Sequence, residues 1–334
     1  MILHLRQHWF KVLRIILTIL SIGFITYYVW KNFHVIQIND PKWLVFCLAI
    51  PMLVIPLIGT NRWRFFLALN GIKESIFHLA KINFISIFYG LILPSSSGFD
   101  AIRILMIENK HPEKRGQAGS TVILERLMGL LSLSLIGIVA ALLLPEHMAG
   151  ANIRKTILIV SFIIFLCIAS FLTPTFYKIM NKLLYSRLSG RKNFFQKLID
   201  YVEKAHNALY RVVGPSMLIK SFLLILLFQL TTILNVAFVY KALGVHLSLT
   251  VHMMIMPIIY ILSIVPITMS GFGVREGLFA YFYNSVGVDS AVAVMASLIN
   301  YVLLSLLPAI IGFIFVLLSS DSQPKLSTNK PQSY

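Results

Sequence analysis

The sequence predicts an all-α polytopic membrane protein, with about six full transmembrane crossings plus two re-entrant helical hairpins arranged as an inverted repeat. Three observations predict it. The 334 residues are 58% hydrophobic and only 12% charged, against roughly 25% charged in a soluble domain. Apolar runs recur near the roughly 20 residues needed to cross a bilayer. Two polar, helix-breaking stretches interrupt that pattern, "LPSSSGFDAIR" at 93–103 and "PITMSGFGVREG" at 266–277.

Apolar segments fall at 12–30, 43–60, 77–93, 119–144, 154–173, 216–240, 251–265, 276–286 and 290–318. The first follows Arg6, Lys11 and Arg14 and has no small-x-small cleavage site, so it reads as a retained helix with a cytoplasmic N-terminus. After 43–60, the stretch 61–76 carries Arg62, Arg64 and Lys73 against Glu74, which places it inside. Arg62 and Arg64 read as interfacial anchors beside Trp63, with a headgroup contact as the alternative.

Segment 77–93 raises a conflict. A full crossing there would put the basic stretch 174–215 outside, although it holds Lys178, Lys182, Arg187, Arg191, Lys192, Lys197, Lys204 and Arg211. The conflict vanishes if 77–107 enters from the cytoplasm, breaks at Pro94–Gly98 and returns. Segments 119–144 and 154–173 then cross out and back. Within 174–215, "FFQKLIDYVEKAHNALYRVVG" has helical apolar spacing, and it suits either an anionic leaflet or the protein's own cytoplasmic face. Segment 216–240 crosses outward. The short runs 251–265 and 276–286 form a second hairpin from the outside, and 290–318 crosses inward. Residues 1–318 are thus one transmembrane domain, and 319–334 are a polar, disordered cytoplasmic tail. The expected location is the cytoplasmic membrane, with both termini in the cytoplasm.

Segments 43–60, first hairpin and 119–144 run opposite to 216–240, second hairpin and 290–318. Their breaks match in kind: Pro94, Gly98 and Arg103 in one, and Pro266, Gly271, Gly273 and Arg275 in the other. Broken helices at matching positions of inverted repeats mark transporter binding sites.

Ionisable side chains at membrane depth are costly and need a role or a partner. The candidates for binding substrate are Asp100, Arg103, Glu125, Arg126, Arg275 and Glu276. Asp100 and Arg103 share one helix face at i, i+3 and either bind a ligand or pair to close the hairpin. Glu125 and Arg126 either snorkel to the inner interface or face a cavity. Arg275 and Glu276 are adjacent and should point apart. Gly271, Gly273 and Gly277 permit close backbone approach, to a ligand or to a neighbouring helix. Tyr89, Asn235, Tyr260 and Asn300 could add hydrogen bonds.

The net charge of +17 fits anionic lipid headgroups. No basic run with interleaved aromatics supports nucleic acid binding. Cys47 and Cys167 sit in apolar runs without metal spacing. No zinc-type His pair, phosphate-cradling Gly-rich loop or nucleophile–base pair is present, so no catalytic residue, metal or cofactor is assigned.

The motifs "LPSSSGFDAIR", "STVILERLMGLLSL" and "PITMSGFGVREGLF" resemble the transmembrane region of lysylphosphatidylglycerol synthase, a flippase-like family. The likeness falls on Leu93-Pro94, Gly98, Asp100 and Arg103; on Glu125, Arg126 and Gly129; and on Pro266, Gly271, Gly273, Arg275 and Glu276. It departs from the family pattern at Phe99, where many members have Gly, and at Glu125, where many have Asp. The resemblance implies movement of a modified phospholipid or lipid-linked headgroup between leaflets. Its partners would be anionic or aminoacylated phospholipid or a polyprenyl-linked glycan, with a homo-oligomer or a partner synthase also open. The alternative is a membrane-embedded transferase or an accessory subunit of cell-envelope glycolipid assembly. Bifunctional members carry a soluble aminoacyl-transferase domain after the membrane part, and this sequence is expected to lack it.

Overall fold

The structure, a computed structural model, describes residues 2–32, 34, 37–92, 98–114, 116–144, 151–171, 215–264, 268 and 271–318. Leu93, Pro94, Pro266, most of the amphipathic stretch 174–215 and the tail 319–334 lie outside the described residues, and so do the readings made on them.

The described residues form helices joined by turns and short irregular stretches, with no strand among them. In chain order the helices are α1 (Ile2–Lys31), α2 (Lys42–Leu53), α3 (Thr60–Leu69), α4 (Ile76–Ile92), α5 (Gly98–Lys110), α6 (Gln117–Leu143), α7 (Ala151–Phe171), α8 (Pro215–Ala242), α9 (Leu249–Ser263), α10 (Val274–Asn284), α11 (Ser290–Tyr301) and α12 (Leu307–Leu317). Widened π-type turns at Val54–Gly59 and Val302–Leu306 join α2 to α3 and α11 to α12. Among the described residues, five stretches are long and apolar enough to cross a membrane: Lys42–Leu69, Gln117–Leu143, Ile153–Ser170, Ile219–Ala242 and Ser290–Leu317. Ile16–Lys31, Ile76–Ile92 and Leu249–Ser263 are shorter apolar helices. The protein is a multi-pass helical membrane protein.

Its surface is inside-out relative to a soluble domain. Large apolar side chains such as Trp30, Phe77 and Leu143 point outward, while Asp100, Arg103, Glu125 and Glu276 are buried. A bilayer rewards apolar contact on the outside, and polar groups must find partners within the bundle.

Two antiparallel helix pairs organise the interior. At one end of α4 and α5, Glu74 meets Lys110 and His111, each at 2.8 Å. At the other end, a Cβ on Gly90 would stand 3.0 Å from the Phe99 nitrogen. With 17 and 13 residues these helices are about 25 Å and 20 Å long, short of the roughly 30 Å hydrocarbon core. In the second pair, His252 near the start of α9 bonds the Tyr283 hydroxyl near the end of α10 at 2.8 Å. Ser248 caps α9, accepting from the Val251 N–H, and Asp289 caps α11, accepting from Ala291 at 2.7 Å.

The pairs pack crosswise. α4 lies on α12, and α9 lies on α6. The α4–α12 approach is so close that a Cβ on Gly312 would overlap the Phe84 carbonyl, so only glycine fits there. α2 packs along α8. The largest apolar cluster joins Ile136 and Ala140 of α6 to Tyr240, Met254, Ile255, Phe279 and Tyr283. A second, around Trp63, Leu79, Ile82 and Ile107, fixes α3, α4 and α5 together.

The sequence expectation ended the second crossing at 60 and read 61–76 as a loop. The chain instead stays helical to Leu69. Arg62 does not force an exit to water because its charge is met inside the bundle.

Candidate functional site: a cavity between two helix breaks

A cavity of about 510 Å³ opens where the two pairs meet. Phe99, Asp100 and Arg103 from the start of α5 border it, as do Ser263, Ile264, Gly271 and Arg275 around the second break. Val54 and Gly59 of one widened turn and Leu304 and Ser305 of the other also line it. Widened turns free backbone geometry that a regular helix would use up, and they concentrate at functional sites. Both α5 and α10 begin at the cavity, so the positive ends of two helix dipoles point at it.

The charged wall is one connected network. Arg103 is 4% exposed at its side chain and bridges two carboxylates through one nitrogen: Asp100 Oδ1 at 2.8 Å and Glu125 Oε2 at 2.9 Å. Arg62 holds Glu125 Oε1 at 2.5 Å. Arg126 grips Asp100 Oδ2 through Nε at 2.9 Å and Nη2 at 2.7 Å. Aromatic faces back the cations: Arg103 lies 4.8 Å from both Trp63 and Phe99, and Arg62 lies 4.2 Å from Phe228.

The second break builds a smaller knot. Glu276 is buried and folds back to accept from the Gly273 N–H at 2.7 Å. Gly273 has φ 89°, which L side chains rarely adopt, and it packs against Ser21 of α1. Ser297 donates to Glu276 at 3.0 Å, and Arg275 bonds both Glu276 and Ser297 while lying 4.5 Å from the Tyr301 ring. The sequence expectation that Arg275 and Glu276 point apart is corrected. Glu276 sits in the first turn and is drawn back to the helix start, and the long Arg275 side chain reaches it while still bordering the cavity.

The cavity thus gathers Asp100, Arg103, Glu125, Arg126 and Arg275, with Glu276 just behind. Gly98 begins α5. Gly271 borders the cavity with φ 71° and nothing within 4 Å of a Cβ, and Gly277 likewise faces open space. Tyr260 and Asn300 line the wall, and Asn235 donates to Asn300 at 3.0 Å. Tyr89 is absent from the lining and packs on Phe88. Sequence reasoning placed Arg62 at the interface and passed over Gln229, Ser297 and Tyr301. Pro51 and Pro56 just before Arg62 are the one sequence signal that this helix is distorted near a site.

The family model for the lysylphosphatidylglycerol synthase TM region matches residues 12–312, nearly the whole chain. The chain belongs to that family. The matched range takes in every charged residue of the cavity, both π-type turns and both helix pairs. None of the curated proteins compared matches this chain.

Proposed function

We propose that this protein translocates a phosphate-bearing lipid headgroup between leaflets through the cavity. The observation that carries the reading is the arginine-rich wall, Arg62, Arg103, Arg126 and Arg275, lining a cavity onto which the starts of α5 and α10 also open. Guanidinium groups and helix N-termini both favour phosphate oxygens. Membership of a family linked to lipid modification and flipping supports it.

In this reading α4–α5 is a re-entrant hairpin entering from the cytoplasm, and α9–α10 is its inverted counterpart from the outside. The crosswise packing supports the repeat: each pair lies on the last crossing of the opposite half, and the first crossings, α2 and α8, lie on each other. Both termini are then cytoplasmic. The network supplies the means for a headgroup to cross. Asp100 and Glu125 hold the arginines in place when no phosphate is bound, and a phosphate competes with those carboxylates for the same N–H donors. Acyl chains remain in the bilayer while the headgroup moves.

The test is leaflet exchange of labelled anionic phospholipid in proteoliposomes. Exchange above that of protein-free liposomes is expected, with loss on Arg275→Ala. Exchange equal to that of protein-free liposomes would contradict the reading, and a new covalent lipid product would favour a transferase.

A further inference from the structure

We infer that the cavity carries a neutral subsite for the hydroxyl groups of a phosphate-bearing lipid headgroup, built by Asn83, Gln229, Thr232, Tyr260 and Asn300; this rests on the translocation reading above. All five line the cavity, and none lies in the motifs at 93–103, 120–133 and 266–279. They come from α4, α8, α9 and α11, so the subsite exists only in the folded bundle.

Asn83 is 5% exposed and donates through Nδ2 to the Thr60 hydroxyl at 3.0 Å. Its Oδ1 is left buried without a hydrogen-bond partner. The Tyr260 hydroxyl is enclosed beside Thr232 and Asn300 and meets neither with hydrogen-bond geometry. Thr232 spends its proton on the Gln229 carbonyl at 2.8 Å, so its oxygen is left to accept. Asn300 accepts from Asn235 at 3.0 Å, so its amide keeps N–H groups to donate. A buried polar atom without a partner is costly. A phosphodiester oxygen only accepts and cannot satisfy Asn83 Oδ1. A hydroxyl both donates and accepts, and it brings no charge to bury.

The neutral groups also connect the two charged ends of the cavity. Gln229 Nε2 would stand 3.6 Å from a Cβ on Gly129, one turn of α6 past Glu125 and Arg126. Thr232 follows one turn along α8, beside Tyr260, and Tyr260 feels the charge of Arg275. A headgroup with hydroxyls, a phosphoglycerol or a phospho-sugar, therefore keeps hydrogen bonds as its phosphate leaves one arginine cluster for the other. Water satisfies the same atoms when no lipid is bound, so the test compares lipids that differ only in hydroxyls.

The experiment is native mass spectrometry of the full chain purified in detergent and offered equal amounts of phosphatidylglycerol and phosphatidylpropanol with the same acyl chains. The two share charge and phosphodiester, and only the first has headgroup hydroxyls. Phosphatidylglycerol should be retained about tenfold more, the effect of leaving a buried polar partner unmatched. Tyr260→Phe keeps the ring, and it should cut that ratio by about threefold or more, as should Asn83→Leu. A purely structural role would lower retention of both lipids together and leave the ratio unchanged, and an unchanged ratio in both variants overturns the inference. Equal retention of the two lipids by the wild type overturns the subsite and leaves translocation standing. Preference for phosphatidylglycerol without leaflet exchange overturns translocation and leaves the subsite standing. Retention of neither lipid overturns the subsite, and leaflet exchange then judges translocation alone. Soluble glycerol phosphate should not strip bound phosphatidylglycerol, and stripping would overturn the assignment to a lipid.

Discussion

Arg103 is the residue on which the charged network turns. It holds Asp100 and Glu125 at once and is almost fully enclosed. Arg103→Ala leaves both carboxylates without that partner, a loss of about 3–5 kcal/mol for a broken buried pair. Arg126 is different. Its side chain is 54% exposed although it also grips Asp100. Arg126→Gln should therefore cost less than about 1 kcal/mol, because exposed pairs contribute little. Thermal unfolding of the two purified variants checks this: a large drop in Tm is expected for Arg103→Ala and a small one for Arg126→Gln, and equal drops would contradict the assignment. The shared face of Asp100 and Arg103 was legible in sequence from their i, i+3 spacing, which left a ligand contact and a mutual pair both open; in the structure the two pair at 2.8 Å. Arg62 was not legible, since its partner Glu125 lies far along the chain and only packing brings them together. Arg275 and Glu276 misled because helix geometry separates neighbouring side chains, whereas folding back to the helix start draws one toward the other.

At the scale of the helix pair, α4 and α5 are fastened at the end away from the cavity. Glu74 accepts from Lys110 and meets His111, and His111 also stands 3.5 Å from Glu113. Burial pushes the Glu74 carboxyl up, but hydrogen bonds from Lys110 and His111 outweigh it and leave its pKa below the ordinary value. A lowered carboxylate pKa stabilises the fold above the unfolded-state value, near 4.3, and that contribution fades as pH falls through the folded-state value. The wild type should thus lose thermal stability below about pH 4.3 more steeply than Glu74→Gln. Parallel curves would rule this contribution out. Most helix bounds were legible from apolar runs to within a few residues. There are two exceptions: α1 starts at Ile2, ten residues before its apolar run, and the helix continues past residue 60, where internal charge pairing that hydropathy does not register keeps it going.

At the scale of the whole molecule, the described helices form a bundle in which the starts of α5 and α10 reach one cavity. The short motif match between the breaks hinted at this, and the crosswise packing of α4 on α12 and α9 on α6 supports the inverted repeat. Loop charge led to the proposed orientation, with 108–118 in the cytoplasm. Glu113 is well exposed in that stretch. A Glu113→Cys variant, made in a background without Cys47 and Cys167, should react with a membrane-impermeant thiol reagent only after the membrane is opened. Labelling of intact cells from outside would invert the topology. The central claim is lipid translocation through the arginine-lined cavity, and its most direct measurement is leaflet exchange of phosphatidylglycerol in proteoliposomes, compared with Arg126→Gln protein at equal density. Exchange faster than in protein-free liposomes, and slowed in the variant whose fold is retained, is the predicted result. Exchange no faster than in protein-free liposomes, or indifferent to Arg126, would contradict it.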